Sequence, residues 1–130
     1  MSARGLHGPT IIAAKQPLPT TIVVSSGKLF WANFSGSAVM TCPTTGCGGP
    51  PTPFLTQPGA YDGLAADADN LYVINNVDNV GALLRCPLSG SCTGPTVLAA
   101  NQNRPGKVVL DATSIYWTVQ NAGMVMRLAK

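Results

Sequence analysis

The chain is predicted to be all-β, and three observations carry that prediction. Glycine (14) and proline (11) are abundant among 130 residues, and charged residues make up only 10%. That mix suits short strands joined by turns and deprives helices of the Lys, Arg and Glu they favour; glutamate is absent altogether. No stretch shows the 3.6-residue apolar period of an amphipathic helix. Finally, one apolar, aromatic-rich stretch with strand character occurs three times.

Asp111-Ala112-Thr113-Ser114-Ile115-Tyr116-Trp117-Thr118 leads into Gly123-Met124-Val125-Met126-Arg127. The same pattern appears as Ser25-Ser26-Gly27-Lys28-Leu29-Phe30-Trp31-Ala32 before Ser37-Ala38-Val39-Met40-Thr41. It appears again as Asp67-Ala68-Asp69-Asn70-Leu71-Tyr72-Val73-Ile74 before Gly81-Ala82-Leu83-Leu84-Arg85. A second element also repeats: Gly8-Pro9-Thr10-Ile11-Ile12-Ala13-Ala14-Lys15-Gln16 matches Gly94-Pro95-Thr96-Val97-Leu98-Ala99-Ala100-Asn101-Gln102, with a weaker copy in Pro51-Thr52-Pro53-Phe54-Leu55-Thr56-Gln57. Leu29 to Leu71 is 42 residues and Leu71 to Ile115 is 44. Four short strands in a unit of about 43 residues are the signature of a β-propeller blade.

Taken in order, each unit has strands a to d. Strand a is Thr21–Val24, Leu64–Asp67 and Lys107–Asp111; strand b is Lys28–Asn33, Asn70–Asn75 and Ser114–Val119. Strand c is Ala38–Cys42, Ala82–Cys86 and Met124–Leu128; strand d is Thr10–Ala14, Thr52–Thr56 and Thr96–Ala100. Strand b collects the β-branched and aromatic residues that a pleated, half-buried surface favours. Ser-Gly, Ala-Asp-Asn and Ala-Thr supply turn chemistry between strands a and b.

The predicted architecture is therefore three four-stranded blades, half of a six-bladed ring or a fragment of one. Residues 1–8 read as a tail and 9–130 as one partial propeller. Its repeats run approximately 21–63, 64–106 and 107–130, with 9–14 as a permuted outer strand. Three blades do not close, since propellers have about 4–8, and open end faces would leave apolar surface in water. Two expectations follow: a homodimer in which Thr10–Ala14 of one copy completes the Met124–Leu128 blade of the other, or the remainder of a longer propeller chain.

At Leu29-Phe30-Trp31-Ala32, Leu71-Tyr72-Val73-Ile74 and Ile115-Tyr116-Trp117-Thr118 the chain resembles the YWTD repeat, and more closely the bacterial YWTD-like and NHL-like propeller proteins with cysteine-containing "YWT…VMRCP" repeats. Val39-Met40-Thr41-Cys42-Pro43, Leu83-Leu84-Arg85-Cys86-Pro87 and Val125-Met126-Arg127 carry that likeness, which spans residues 9–130. The resemblance implies a propeller fold and no particular activity. Only one repeat keeps Tyr-Trp-Thr, none keeps the following Asp, and Val73 replaces the Trp.

Candidate chemistry is sparse. Cys42/Cys47 and Cys86/Cys92 occupy the same c–d loop in two units. Their spacing suits local disulfides, provided the turn brings the Cα atoms within about 7 Å; reduced thiols and a zinc site are the alternatives. Disulfides would indicate an oxidising compartment, extracellular, periplasmic or in the cell envelope, although Met1–Gly8 is no secretory signal. Asp67 and Asp111 share a repeat position, where an aspartate caps a turn. Asp67-Ala68-Asp69-Asn70 lacks the glycine and distant glutamate of a calcium loop, and Asp62 and Asp78 fall in connecting loops. His7, the one histidine, lies in the tail without a nucleophile and acid in fixed relation to it.

Trp31, Trp117, Phe30, Tyr72 and Tyr116 read as inter-blade core, with a sugar-stacking platform as the functional alternative, and Met40, Met124 and Met126 as core fillers. Arg85 and Arg127 read as edge decoration. The net charge of +3 comes from scattered bases, so no nucleic-acid face is expected. No apolar run approaches the ~20 residues of a membrane span. The expected function is a non-catalytic binding or scaffold module, with no metal or cofactor. It would present loops 34–37, 75–81 and 119–123 and linkers 57–63 and 101–106 to a protein or small ligand. The alternatives are a glycan-binding lectin or a metal-dependent lactonase-like hydrolase.

Overall fold

A computed structural model of the chain describes residues 8–77 and 80–130. It holds eleven strands: β1 (Pro19–Ser25), β2 (Lys28–Asn33), β3 (Ala38–Pro43), β4 (Thr52–Leu55), β5 (Tyr61–Ala66), β6 (Asn70–Val77), β7 (Val80–Pro87), β8 (Thr96–Asn103), β9 (Pro105–Leu110), β10 (Ser114–Val119) and β11 (Met124–Ala129). They form three sheets in the orders β1-β2-β3-β4, β5-β6-β7-β8 and β9-β10-β11, antiparallel throughout. No helix occurs among the described residues. Each sheet is a meander of hairpins, as expected where two to eight residues of turn-forming sequence separate the strands.

Eleven of the twelve predicted strands are present. The exception is Thr10–Ala14, which forms no ladder in the single chain. The physical reason is that a strand needs a hydrogen-bonding edge. The edge of this repeat type lies on a third strand, and the first sheet follows the segment rather than preceding it. Asp67 and Asp111 also stand just beyond their strands, in the turns. The opening strand begins earlier than predicted, at Pro19.

The sheets stack face to face. Phe30, Ala32 and Val39 of the first sheet meet Leu64, Leu71, Val73 and Leu84 of the second, with Phe54, Leu55 and Tyr61 filling the same core. Phe30 and Phe54 meet edge to face, with ring centroids 5.1 Å apart, the arrangement their quadrupoles prefer. On the other side of the second sheet, Ala65, Tyr72, Ile74 and Leu83 pack against Val108, Ile115, Trp117 and Val119 of the third. Alternation along strand b explains this: residues 30 and 72 face the following sheet, residues 73 and 117 the preceding one.

The first strands of the three sheets, β1, β5 and β9, are neighbours. They approach closely enough that a Cβ on Gly63 would stand 2.8 Å from the Gly106 carbonyl oxygen, so glycine is required there. Near this point each of these strands carries a register shift: between Pro19 and Thr21 in β1, between Tyr61 and Gly63 in β5, and in β9 opposite Trp117 to Val119. Such bulges bend a strand and re-aim its side chains.

Candidate functional site

One end of the stack gathers the connections between second and third strands. The rung is the same in all three sheets: Phe34 N–H donates to the Leu18 carbonyl at 2.9 Å, Asn76 to Ala60 at 2.8 Å, and Gln120 to Arg104 at 2.9 Å. These rungs tie the predicted contact loops 34–37, 75–81 and 119–123 to the segments that enter each first strand, and together they form one rim. Less of it is loop than predicted: 75–77 and 80–81 belong to β6 and β7, and all of 101–106 except Arg104 belongs to β8 and β9, because the hairpin ladders run on to the rim. Asp78 lies in the second of these loops, outside the described residues.

The rim is rich in side-chain amides. Asn76 Nδ2 donates to the Asp62 carboxylate at 3.2 Å and, across to the third sheet, to the Pro105 carbonyl at 3.3 Å. Asp62 is the residue at which β5 shifts register, so the bulge brings its carboxylate within reach of Asn76. Asn75 Oδ1 accepts from the Ala60 N–H at 3.0 Å. Arg104 Nε donates to Gln120 Oε1 at 2.9 Å, and Asn121 Nδ2 to Asn103 Oδ1 at 3.2 Å. Among the described residues, the buried Oδ1 atoms of Asn33 and Asn76 have no hydrogen-bond partner, a feature that buried amides rarely keep without reason. Phe34 is a half-exposed ring at the rim.

Behind the rim sits a latch that the sequence reading missed. Gln102 Oε1 accepts from the Trp117 indole N–H at 3.0 Å, and its Nε2 donates to the Ala100 carbonyl at 3.0 Å. Gln16 repeats both bonds, to Trp31 at 3.1 Å and to Ala14 at 3.2 Å, and also accepts from Asn33 Nδ2 at 2.8 Å. The middle copy faces Val73, which has no N–H to offer, and Gln57 instead reaches the Thr93 carbonyl at 3.4 Å. The signal was present: a glutamine 15 residues before each tryptophan, ending each copy of the outer strand.

The opposite end carries the tight turns between first and second strands and the longer, disulfide-closed connections 44–51 and 88–95. Asp67 Oδ1 accepts the N–H groups of Asp69 and Asn70 at 2.9 and 2.8 Å. Asp111 Oδ1 does the same for Thr113 and Ser114, and its Oδ2 accepts from the Tyr116 hydroxyl at 2.6 Å. The structure thus confirms both aspartates as turn caps. Ser25 takes the same place in the first sheet, and the turn there closes differently. Ser26 and Gly27 have φ of 50° and 76°, the left-handed pair of a type I′ hairpin, while the Ser25 hydroxyl donates to the Asp67 carbonyl at 2.8 Å.

The Tyr116 hydroxyl, with the Thr113 and Ser114 N–H groups, holds Asp111 down at about 2, and raises Tyr116 in turn. For Asp67, partial burial works to raise the pKa. It is outweighed by the N–H groups of Asn70 and Asp69 and by Lys130, 3.2 Å away, so the pKa is lowered. Burial raises Tyr61 and is the main cause raising Tyr72.

Both cysteine pairs are disulfides: Cys42–Cys47, with Cα atoms 5.0 Å apart, and Cys86–Cys92, at 5.6 Å. No described cysteine is free. Each closes a loop of a few residues, so each stabilises by about 2 kcal/mol, the low end for cross-links. Cys86 and Cys92 are buried in the core between the first two sheets, where the Cys92 N–H donates to the Phe54 carbonyl at 2.7 Å. Two disulfides are compatible with an extracellular location. Among the described residues no helix is long and apolar enough to cross a membrane.

Among the described residues no group of three His, Cys, Asp or Glu is placed to hold a metal ion. His7 lies outside the described residues. Trp31 and Trp117 are buried, which places both rings in packing rather than on an open platform. Of the three methionines read as core fillers, Met126 packs against the second core, while Met124 is exposed. That reading therefore fails for Met124, which opens β11 beside the rim where no sheet covers it.

No protein-family model and no curated protein matches the chain. Among solved structures the chain is similar to a crystal structure of the computationally designed Ika4 protein, at 10% sequence identity and a TM-score of 0.61, over 85% of this chain. The match spans 65% of that protein's length. At that identity the likeness concerns the fold alone.

Proposed function

We propose that the three sheets are three blades of a six-bladed β-propeller and that the chain is a non-catalytic binding module working in an extracellular or periplasmic compartment. The observation that carries this reading is the threefold rung that ties the end of each second strand to the segment entering each first strand, gathering the polar amide side chains at one end. A scaffold held by repeated turns and disulfides at the other end supports that variable rim. The inner strands that would line a propeller axis bulge beside this rim, and its Asn, Gln, Asp62 and Arg104 side chains offer hydrogen bonds with little net charge. Such a surface suits a polar ligand without phosphate groups: a peptide segment or a hydroxyl-rich small molecule.

The described rim brings one carboxylate, Asp62, to the axis end, which gives a lactonase-like reaction little to work with. The lectin reading has Phe34 as its one half-exposed rim ring. Glycan and peptide arrays, followed by titration of any hit, test the proposal. Gln120→Ala and Asn76→Ala are expected to weaken binding of the hit about tenfold each, the cost of one or two hydrogen bonds, while Asp69→Ala at the opposite end leaves it unchanged. Binding that survives both rim variants and is lost in Asp69→Ala would overturn the assignment of the rim.

A further inference from the structure

The two outward faces of the stack repeat, position for position, the two faces that are buried between sheets. On the first sheet Ile22 and Val24 are 62% and 61% exposed. Their counterparts by repeat, Leu64 in the second sheet and Val108 in the third for Ile22, are 6% and 5% exposed, each covered by the preceding sheet. On the third sheet Val109 and Val125 are 61% and 78% exposed. Their counterparts Ala65 and Leu83 are 8% and 0% exposed, covered by the following sheet. The first sheet therefore presents the face of a sheet that has a predecessor, and the third the face of one that has a successor.

Residues 8–18 give the independent observation. They form no strand, yet Lys15 and Leu18 have φ of 59° and 56°, matching 55° and 61° at Asn101 and Arg104. Gln16 makes the Trp31 and Ala14 bonds that Gln102 makes to Trp117 and Ala100. In the second copy of this arrangement the segment before the latch is β8, the outer strand of the sheet packed against the third sheet. So Thr10–Ala14 is held over the first sheet in the place of an outer strand whose sheet is not in this chain. The edge strand β11, paired on one side only, is the third strand of a sheet with no described fourth.

We propose that a second copy of this chain supplies the missing neighbour. Its β11 pairs with residues 10–14 of the first copy, its third sheet packs on the face carrying Ile22 and Val24, and the same contact recurs at the other junction to close a ring of two chains. The register follows from β7 and β8, where Leu83 pairs with Ala99, Leu84 with Val97 and Arg85 with Thr96. It sets Val125 of one copy opposite Ala13 of the other, Met126 opposite Ile11 and Arg127 opposite Thr10. Ile11, 79% exposed in the single chain, gains Met126 as a cross-strand neighbour and should approach the 57% exposure of its counterpart Val97. The inference rests on the propeller reading for its ring geometry and is independent of what the rim binds.

Light scattering on the purified chain gives the first test. The expected mass is about 27 kDa, twice 13.4 kDa. A monomer at micromolar concentration, or an open series of larger assemblies, overturns the proposal while leaving rim binding to be judged by the arrays. Val125→Asp places a carboxylate in both junctions and is expected to raise the dimer dissociation constant about a hundredfold or more, with the far-ultraviolet circular dichroism of the sheets retained. A dimer indifferent to that change overturns the register. Where Val125→Asp fails to fold, the double variant Ala13→Cys, Val125→Cys decides. Oxidation is expected to link two chains on a non-reducing gel, and a bond formed within one chain would show that the segment folds back on its own third sheet.

Discussion

The central sheet and its two flanks are built from the same repeat and live in different surroundings. The β5–β8 sheet is covered on both faces, by the first sheet through Leu64, Leu71, Val73 and Leu84 and by the third through Ala65, Tyr72, Ile74 and Leu83. Each flanking sheet is covered on one face only. The lesson is that the apolar residues of a stacked sheet are chosen for a neighbour, whether or not the neighbour belongs to the same chain. Val125 is as apolar as its buried counterpart Leu83, and on the single chain nothing covers it.

The largest expected effect breaks that equivalence directly. Leu83→Ala empties a position with no solvent exposure between two sheets and should lower the unfolding free energy by about 3 kcal/mol. Val125→Ala, at the same register position, should leave the isolated chain within about 0.5 kcal/mol of the parent. Urea titration of both variants at low protein concentration checks the contrast. Comparable losses at the two sites would mean that Val125 is already packed within the single chain.

A smaller effect sharpens the comparison at the latch. Gln102→Ala strands the indole N–H of the buried Trp117 and should cost about 1–2 kcal/mol. Gln57→Ala removes only an exposed bond of 3.4 Å to the Thr93 carbonyl and should cost less than about 0.5 kcal/mol. Thermal melts of the two variants distinguish them. The central sheet, for all its burial, does without the latch because Val73 has replaced the tryptophan.

Much of this was legible in the sequence because a repeat makes its own controls. The recurrence of Leu29, Leu71 and Ile115 located three sheets, and the recurrence of Asp67 and Asp111 identified two turn caps. The alternation at 30/72/116 and 31/73/117 assigned the faces, and the cysteine spacing allowed the disulfides that formed. What escaped was of two kinds. The glutamine latch depends on a side chain reaching around from one repeat to the next, and although Gln16, Gln57 and Gln102 recur, the recurrence alone does not say which group each amide meets. At Thr10–Ala14 the sequence predicted a strand where the single chain forms no ladder, because strand propensity is local and a ladder is not: the segment has β-branched sequence and the right turns, yet has no edge to pair with.

The smallest expected effect separates the two turn aspartates. Asp111 sits at about 2 in the folded chain, below the ordinary 3.8, so between those values the folded chain binds fewer protons than the unfolded one. Its contribution is complete above the unfolded value and is lost as the pH falls toward 2. Asp67 is lowered as well, with the same sign, but part of its support is the ion pair with Lys130, whereas Asp111 relies on the Tyr116 hydroxyl and backbone N–H groups. Salt screens partly exposed charges more than it weakens hydrogen bonds. In acid titrations followed by circular dichroism, Asp111→Asn should flatten the loss of stability between about pH 4 and pH 2 equally at low and high salt. Asp67→Asn should flatten it chiefly at low salt. If added salt removes the difference for Asp111 and not for Asp67, the Tyr116 hydroxyl is not what holds the third sheet's turn.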